Sequence, residues 1–391
     1  MIARLRIAII AGEESSDLLG ADLIVSLHRK THNAVDLIGV GGKHLTALGL
    51  KSFFDPEEIA LMGIGAVLKK IPRLISLIGK ISAFIARESP HCLIIIDGPD
   101  FTHRVARRVR ALNPYIPIIK YVAPSVWAWR SGRAKAMRIF IDHVLVILPF
   151  EVEVMKMLQG PPVTYVGHRL LSCPSVLDVC SRRKKKPDRS KRVASLVVLP
   201  GSRRFEIRRL MPVFGQTVQD LQERVPNLDI VLPTLPNIET ELRALAAQWP
   251  KKPRVVVGDK EKWETFVEAD IALAASGTVS LELALCGIPM VLAYKADWFS
   301  KIFIIPKVTV WSAALPNIIA DEPVVPEYFN EFVRPGMLSR QLERHLLKES
   351  VRSVQLEGLK KIAAVMHTHA ASGDLAAEAI VPFLPDVKKT N

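Results

Sequence analysis

The sequence predicts an α/β protein of two doubly wound, Rossmann-like domains facing a cleft, and three observations carry that prediction. Short aliphatic runs alternate with helical stretches along the whole chain, the pattern of β-α-β units and parallel sheets. At 391 residues the chain exceeds what one hydrophobic core usually supports. Residues 181–192, SRRKKKPDRSKR, carry eight basic side chains, one acidic and no apolar residue except proline, a composition that suits a solvated linker. The domains are therefore expected at 1–180 and 193–365, joined by 181–192, with a last helix in 366–391 able to pack back on the first domain.

Composition narrows the function classes. With 49% hydrophobic residues the chain is globular, and a net charge of +14 favours an acidic partner: nucleic acid, a phosphorylated small molecule or an anionic membrane surface. The four cysteines show no CxxC spacing, which argues against structural zinc or a disulfide framework and fits a reducing cytoplasm. The N-terminal apolar run stops after a few residues at Gly12, Glu13 and Glu14, with nothing resembling a signal-peptide cleavage region. The longest charge-free segments fall short of the roughly 20 apolar residues that span a bilayer, so the protein is expected to be soluble or peripheral.

Taken in order, residues 5–11 read as the first strand, followed by GEESSD and a helix. No GxGxxG opens that helix, so a dinucleotide fingerprint is missing. Ser15, Ser16 and Asp17 can cap it and aim backbone N–H groups at a ligand, and Glu13 at the loop mouth can reach a substrate. A second unit runs from Asp36 through LIGVGG into a helical stretch at 43–48. Residues 59–86 are rich in aliphatics with Lys69, Lys70, Arg73, Lys80 and Arg87 scattered in or beside them. Two readings stand: a surface that meets acyl chains and anionic headgroups, or a core helix with a solvated basic face.

Residues 93–101, LIIIDGPDF, run four aliphatics straight into Asp97 and then force a turn with Gly-Pro. Unalternating apolar residues suit a parallel strand buried on both faces. Asp97 then sits at the carboxyl end of a central strand, where open α/β sheets bind ligands, as a candidate general base or as a cap for the next helix. Asp100 follows in the same loop. A basic helix and a strand at 116–122 lead to APSVWAWRSGRAKAM, with Arg130, Arg133 and Lys135 beside two tryptophans; strands at 142–148 and 164–166 complete the half.

The second half repeats the pattern, with strands at 193–199, 228–233, 254–258, 270–274 and 289–294. Gly201 and Ser202 open one helix; Ser276, Gly277 and Thr278 open another that carries Glu282. Such N-termini bind phosphate through free N–H groups and the helix dipole. Arg203 adds a cation suited to a diphosphate. No Asp-x-Asp pair offers a metal site, and no cofactor is called for.

Seven stretches in order, AGEESSDLLGA (11–21), IDGPDF (96–101), YVAPSVWAWR (121–130), LPFE (148–151), LPGSRRFEI (199–207), ASGTVSLE (275–282) and LPNII (315–319), resemble the lipid-A-disaccharide synthases over almost the whole chain. The resemblance implies the GT-B glycosyltransferase architecture and an inverting enzyme. It would join UDP-2,3-diacylglucosamine to 2,3-diacylglucosamine 1-phosphate, releasing UDP and leaving a β-1,6-linked disaccharide. A peripheral enzyme on the inner face of the bacterial inner membrane is implied, with no nucleic-acid partner. Asp97 would be the base, and Asp100 would orient its loop. Gly201, Ser202, Arg203, Glu206, Ser276, Gly277, Thr278, Glu282 and Asn317 would form the UDP-sugar site, with Glu282 on the ribose. Glu13, Ser15 and Asp17 would belong to the acceptor loop. The chain departs from the family pattern at Ser16, Ala66, Gly98, Ser172 and Asp321, and Ala66 replaces a glutamate.

Two other classes were compatible with parts of the chain. A UDP-sugar 2-epimerase shares the two-domain plan and diphosphate chemistry, but would not need the basic aliphatic stretch at 59–86. A nucleic-acid-binding protein would explain the charge, yet basic residues meet aromatic ones only at 126–133.

Overall fold

The computed structural model describes residues 4–32, 35–60, 64–185, 193–303 and 305–385. It divides into two compact units, one of residues 1–169 and 368–391 and the other of residues 170–367.

The first unit begins with β1 (Leu5–Ala11), α1 (Glu14–Thr31), β2 (Val35–Val40), α2 (Lys43–Ala47), α3 (Glu57–Ala60), α4 (Ile64–Glu88), β3 (Cys92–Ile96) and α5 (Pro99–Leu112). It continues with β4 (Ile118–Tyr121), α6 (Gly132–Met137), β5 (His143–Val146), α7 (Glu151–Met157) and β6 (Val163–Tyr165). All strand pairs are parallel, in the order β2-β1-β3-β4-β5-β6. β3 is buried along its whole length, which explains its unbroken CLIII run: helices cover both faces of the sheet. The strand order reverses between β1 and β3, so the loops after them leave the sheet side by side, Ala11 pairing with Ile96.

In the second unit, α8 (Pro174–Lys184) precedes β7 (Ala194–Leu199), α9 (Arg204–Gln222), β8 (Leu228–Thr234), α10 (Glu239–Ala246), β9 (Arg254–Val257), α11 (Asp259–Glu268) and β10 (Ile271–Ala275). Then come α12 (Thr278–Leu285), β11 (Met290–Tyr294), α13 (Trp298–Phe303), α14 (Leu315–Ala320), β12 (Glu327–Phe329), α15 (Pro335–Leu347) and α16 (Glu349–Met366). Its parallel sheet has the order β12-β11-β10-β7-β8-β9, with the switch point between β7 and β10. The sequence reading contains no strand at β12, a three-residue edge strand with half-buried side chains that carries little periodic signal.

The expected boundary at 180 is corrected: the second unit starts at Leu170, and α8 belongs to it. The first residues of the basic run are docked helix, not solvated linker. Arg182 makes a two-pronged pair with Glu264 at 2.8 and 2.7 Å, and the Arg183 guanidinium donates to the carbonyls of Phe266 (2.9 Å) and Ala269 (2.6 Å). Arg183 there ties the C-terminal end of α11 to the approach to β10, a use of basic residues that composition does not reveal. The rest of the run, from 186 to 192, lies outside the described residues. At the other end the second unit runs to His367, and α17 (Ser372–Ile380) is part of the first unit, lying on α1 with Arg29 paired to Asp374 and Lys30 to Glu378. Gly373 comes so close to the Asp22 carbonyl that a Cβ would lie 2.8 Å from its oxygen, so only glycine allows this packing.

The 59–86 stretch is core along part of α4 and exposed along another part. Leu77, Ile78, Ile81 and Ile85 lie on the inner face of α4 in the core with Val105 and Val109 of α5. Just N-terminal to them on the same helix, Ile71 and Ile75 are 38% and 56% exposed. Arg73 is held by Glu58 at 2.8 and 3.0 Å. Ala66, Lys69 and Lys70 fall where side chains lie outside the described residues. Of the other departures, Gly98 and Asp321 both have left-handed backbone (φ +47 and +53); Asp321 ends α14, where glycine is the usual solution.

Candidate functional site

Asp97 follows the last residue of β3, and its backbone is left-handed (φ +46), as is that of Gly98, the residue that caps α5. On the neighbouring strand, Val122 after β4 is also left-handed (φ +67), a rare state for a β-branched residue that costs on the order of 1–3 kcal/mol. Both keep their ladder bonds, Asp97 N–H to the Tyr121 carbonyl (3.0 Å) and Val122 N–H to the Leu145 carbonyl (2.9 Å), before the chain turns away. Beyond these turns lies a cavity of about 280 Å³ lined by Asp97, Asp100, Ser125, Trp129, Arg130 and Arg133, among others. Asp100 is bound to Arg133 at 2.7 Å.

The Asp97 turn is clamped from inside. Thr102 Oγ1 donates to the Asp97 carbonyl at 2.8 Å, and Lys120 Nζ donates to the same carbonyl from β4. Lys120 is fully buried, and burial pushes its amine down to about 7, with Asp97 pulling the other way. His103 beside it is pushed down to about 3 by burial, then by Lys120, Arg133 and Arg107, so it stays neutral. Between pH 7 and the ordinary lysine value of 10.5, the unfolded chain binds a proton at Lys120 that the folded chain lacks. Wild-type stability should therefore rise with pH relative to Lys120→Met across that window, by up to about 1.4 kcal/mol per pH unit, and the difference should flatten below 7. Urea unfolding of both proteins from pH 6 to 10 checks this; a constant difference would mean that the buried amine does not titrate there.

The acceptor-loop residues are not gathered into that cavity. Asp17 is buried and accepts the N–H groups of Gly42 (2.7 Å), His44 (2.8 Å) and Leu45 (3.3 Å), so its carboxylate caps α2. This corrects the expectation that it caps its own helix or meets a ligand. Ser16 is buried in the first turn of α1; Glu13, which caps α1, and Ser15 in its first turn are exposed.

In the second unit, the loops after β7, β8, β9 and β10 surround a cavity of about 480 Å³. It brings together Gly201, Ser202, Arg203, Glu206, Ser276, Gly277, Thr278 and Glu282. Ala274 pairs with Leu199 in the sheet, so the two phosphate-type loops emerge next to each other. Gly201 is left-handed (φ +109), and a Cβ there would collide with the Glu206 carboxylate. Glu206 in turn accepts the Arg203 N–H (3.4 Å) at the start of α9, so its carboxylate satisfies the backbone donor of the residue that caps the helix. The Arg203 guanidinium is 3.6 Å from Glu206, but its side chain is 69% exposed, which leaves it able to swing over the cavity. Glu282 sits at the cavity floor, its carboxyl raised by burial and countered by Lys262, whose Nζ is 3.2 Å away.

Asn317 is not among the residues lining this cavity. Its amide donates to the Val325 carbonyl (2.9 Å) and accepts the Val325 N–H (2.8 Å), fixing the chain into β12. Lys262, Asp259 and Tyr294 line the cavity without having been singled out in the sequence. Lys120 had one signal: a lysine inside the apolar run IPIIKYV.

A family model described as lipid-A-disaccharide synthetase matches residues 7–381. The chain is 44% identical over 377 residues to a lipid-A-disaccharide synthase of Nitrobacter winogradskyi, covering 96% of this chain and 95% of the relative. It is 42% identical over 384 residues to one of Rhodopseudomonas palustris, covering 97% and 96%. Among solved structures it is similar to Acinetobacter baumannii MurG (TM-score 0.58, 14% identity, 97% of this chain and 99% of that one). It is also similar to a UDP-GlcNAc 2-epimerase of Neisseria meningitidis bound to UDP-GlcNAc (TM-score 0.57, 11% identity, 97% and 99%). At that identity the structural likeness speaks for the fold alone, the two-unit Rossmann-like architecture of GT-B proteins. The family match over nearly the whole chain goes further: the chain belongs to the lipid-A-disaccharide synthetase family.

Proposed function

We propose that this protein is an inverting glycosyltransferase that condenses UDP-2,3-diacylglucosamine with 2,3-diacylglucosamine 1-phosphate, giving the β-1,6-linked disaccharide 1-phosphate and UDP. The observation that carries the chemistry is Asp97, held in a clamped left-handed turn at the wall of a cavity formed by the loops after β3 and β4. Asp97 takes the proton of the acceptor 6-hydroxyl as that oxygen attacks the anomeric carbon from the face opposite UDP. The bond to the diphosphate oxygen breaks, and the electron pair leaves with UDP. Arg203 and the N–H groups at the start of α12 stabilise that departing charge, while Glu282 accepts hydrogen bonds from the ribose. The positive potential is assigned to Arg203, which lines the cavity, and to the helix ends beside it.

Mass spectrometry of the product from the two lipid substrates tests the reading. Disaccharide 1-phosphate and equimolar UDP are expected, in EDTA as in buffer. An epimerised sugar nucleotide with no disaccharide would support the epimerase reading instead.

The enzyme is proposed to work at an anionic membrane surface. Among the described residues no helix is long and apolar enough to cross a membrane, and α4 offers exposed Ile71 and Ile75. Replacing both by glutamine should weaken sedimentation with anionic vesicles roughly tenfold, since each isoleucine contributes part of about 1.5–3 kcal/mol on burial. Co-sedimentation equal to wild type at low and high salt would move the contact elsewhere, with the basic run at 182–192 tested next.

A further inference from the structure

The cavity beside Asp97 holds two carboxylates and two guanidiniums, and they are not paired off evenly. Asp100 takes Arg133 through one of its terminal nitrogens, which leaves the other N–H groups of that guanidinium unspent by this bond. No carboxylate among the described residues pairs with Arg130. Its Cζ lies instead 4.2 Å from the centroid of the Trp129 ring, with Arg133 on the same ring at 5.9 Å. Arg130 has left-handed backbone (φ +53), which turns it out of the chain direction at the cavity rim. The loop beneath is fixed: Trp127 Nε1 donates to the buried Glu151 carboxylate at 3.3 Å, and Glu151 also accepts the Leu148 N–H at 3.1 Å. A guanidinium held over an indole face by its charge keeps N–H groups available for a second partner. Two guanidiniums beside one tryptophan, lining a cavity that also holds the base, form a site for a dianion.

We propose that Arg130, assisted by Arg133, binds the phosphate monoester of the acceptor sugar and so sets the acceptor's orientation at Asp97. The proposal rests on the glycosyltransferase reading above. In a sugar 1-phosphate, the phosphate and the 6-hydroxyl are carried by one pyranose ring. A base and a phosphate clamp must then share one small cavity, as they do here. Arg130 is the specificity element in this arrangement: without a phosphate to meet, it gives the acceptor nothing.

The experiment compares two acceptors, 2,3-diacylglucosamine 1-phosphate and the same lipid without phosphate, with wild type, Arg130→Gln and Arg130→Lys, in detergent and on neutral or anionic vesicles. Wild type should favour the phosphorylated acceptor in kcat/KM. Arg130→Gln should lower that value roughly 10- to 100-fold for the phosphorylated acceptor, the range of one or two charge-assisted hydrogen bonds, while leaving the other acceptor within about threefold. Arg130→Lys should recover part of the loss, because it keeps the charge but not the planar fork. An equal loss for both acceptors would make Arg130 a structural residue of the Trp129 loop and overturn the assignment. A loss confined to anionic vesicles, whichever acceptor is used, would assign the cation to a lipid headgroup and overturn it too. If wild type makes no disaccharide from either acceptor, the glycosyltransferase reading falls and this proposal with it; disaccharide without phosphate discrimination removes the proposal alone.

Discussion

Asp97→Asn is expected to lower kcat by roughly 10²-fold or more while leaving UDP affinity near wild type, because the amide keeps the shape of the carboxylate but cannot take a proton. The separation between chemistry and donor binding follows from the fold: Asp97 belongs to the first unit, and the diphosphate-type cavity belongs to the second. The backbone clamp from Lys120 and Thr102 acts on the Asp97 carbonyl, so it survives the substitution and the turn stays formed. Steady-state kinetics with calorimetry of UDP binding reads both quantities. Activity within about threefold of wild type would take the base role from Asp97, and Asp100, released from its bond to Arg133, would be tested next.

Arg203→Ala is the second large effect, and its signature differs. UDP binding should weaken and transfer should slow together, by roughly 10²-fold in kcat/KM, since the guanidinium meets diphosphate charge in the ground state and more strongly as UDP leaves. The substitution leaves the Gly201 turn intact, because Glu206 accepts the backbone N–H of residue 203 and not only its side chain. Arg203→Lys should restore binding better than turnover, a point charge replacing a fork. Wild-type activity abolished by EDTA and restored by magnesium would transfer this role to a metal ion and refute the assignment.

The order in which residues reach these sites was partly legible. Runs such as LIIIDGP and ALAASGT announce a buried parallel strand ending in a polar loop, and strand-end loops of a doubly wound sheet converge by topology, so Asp97, Arg203 and Thr278 could be named without coordinates. Local pattern also placed Gly201 and Gly277 at the openings of two helices. Asp17 shows the opposite case. It stands beside Ser15 and Ser16 in a loop that reads as a helix cap, yet it caps α2, which begins twenty-six residues later in the chain, at Lys43. Asn317 likewise carries a family motif while its amide is consumed by Val325.

The sequence by itself determined the strand and helix pattern, the two-domain plan, the family and the residue types at both phosphate-type loops, because those depend on periodicity and on short motifs whose meaning is local. Tertiary structure alone decided which charges are free to act. The basic run at its start is docked against Glu264 and backbone carbonyls, Lys120 is buried against the Asp97 carbonyl, and Asp100 takes one terminal nitrogen of Arg133 and none of Arg130. How much of a charge is left for a ligand depends on its nearer partners, and those are set by long-range contacts that no window of sequence contains.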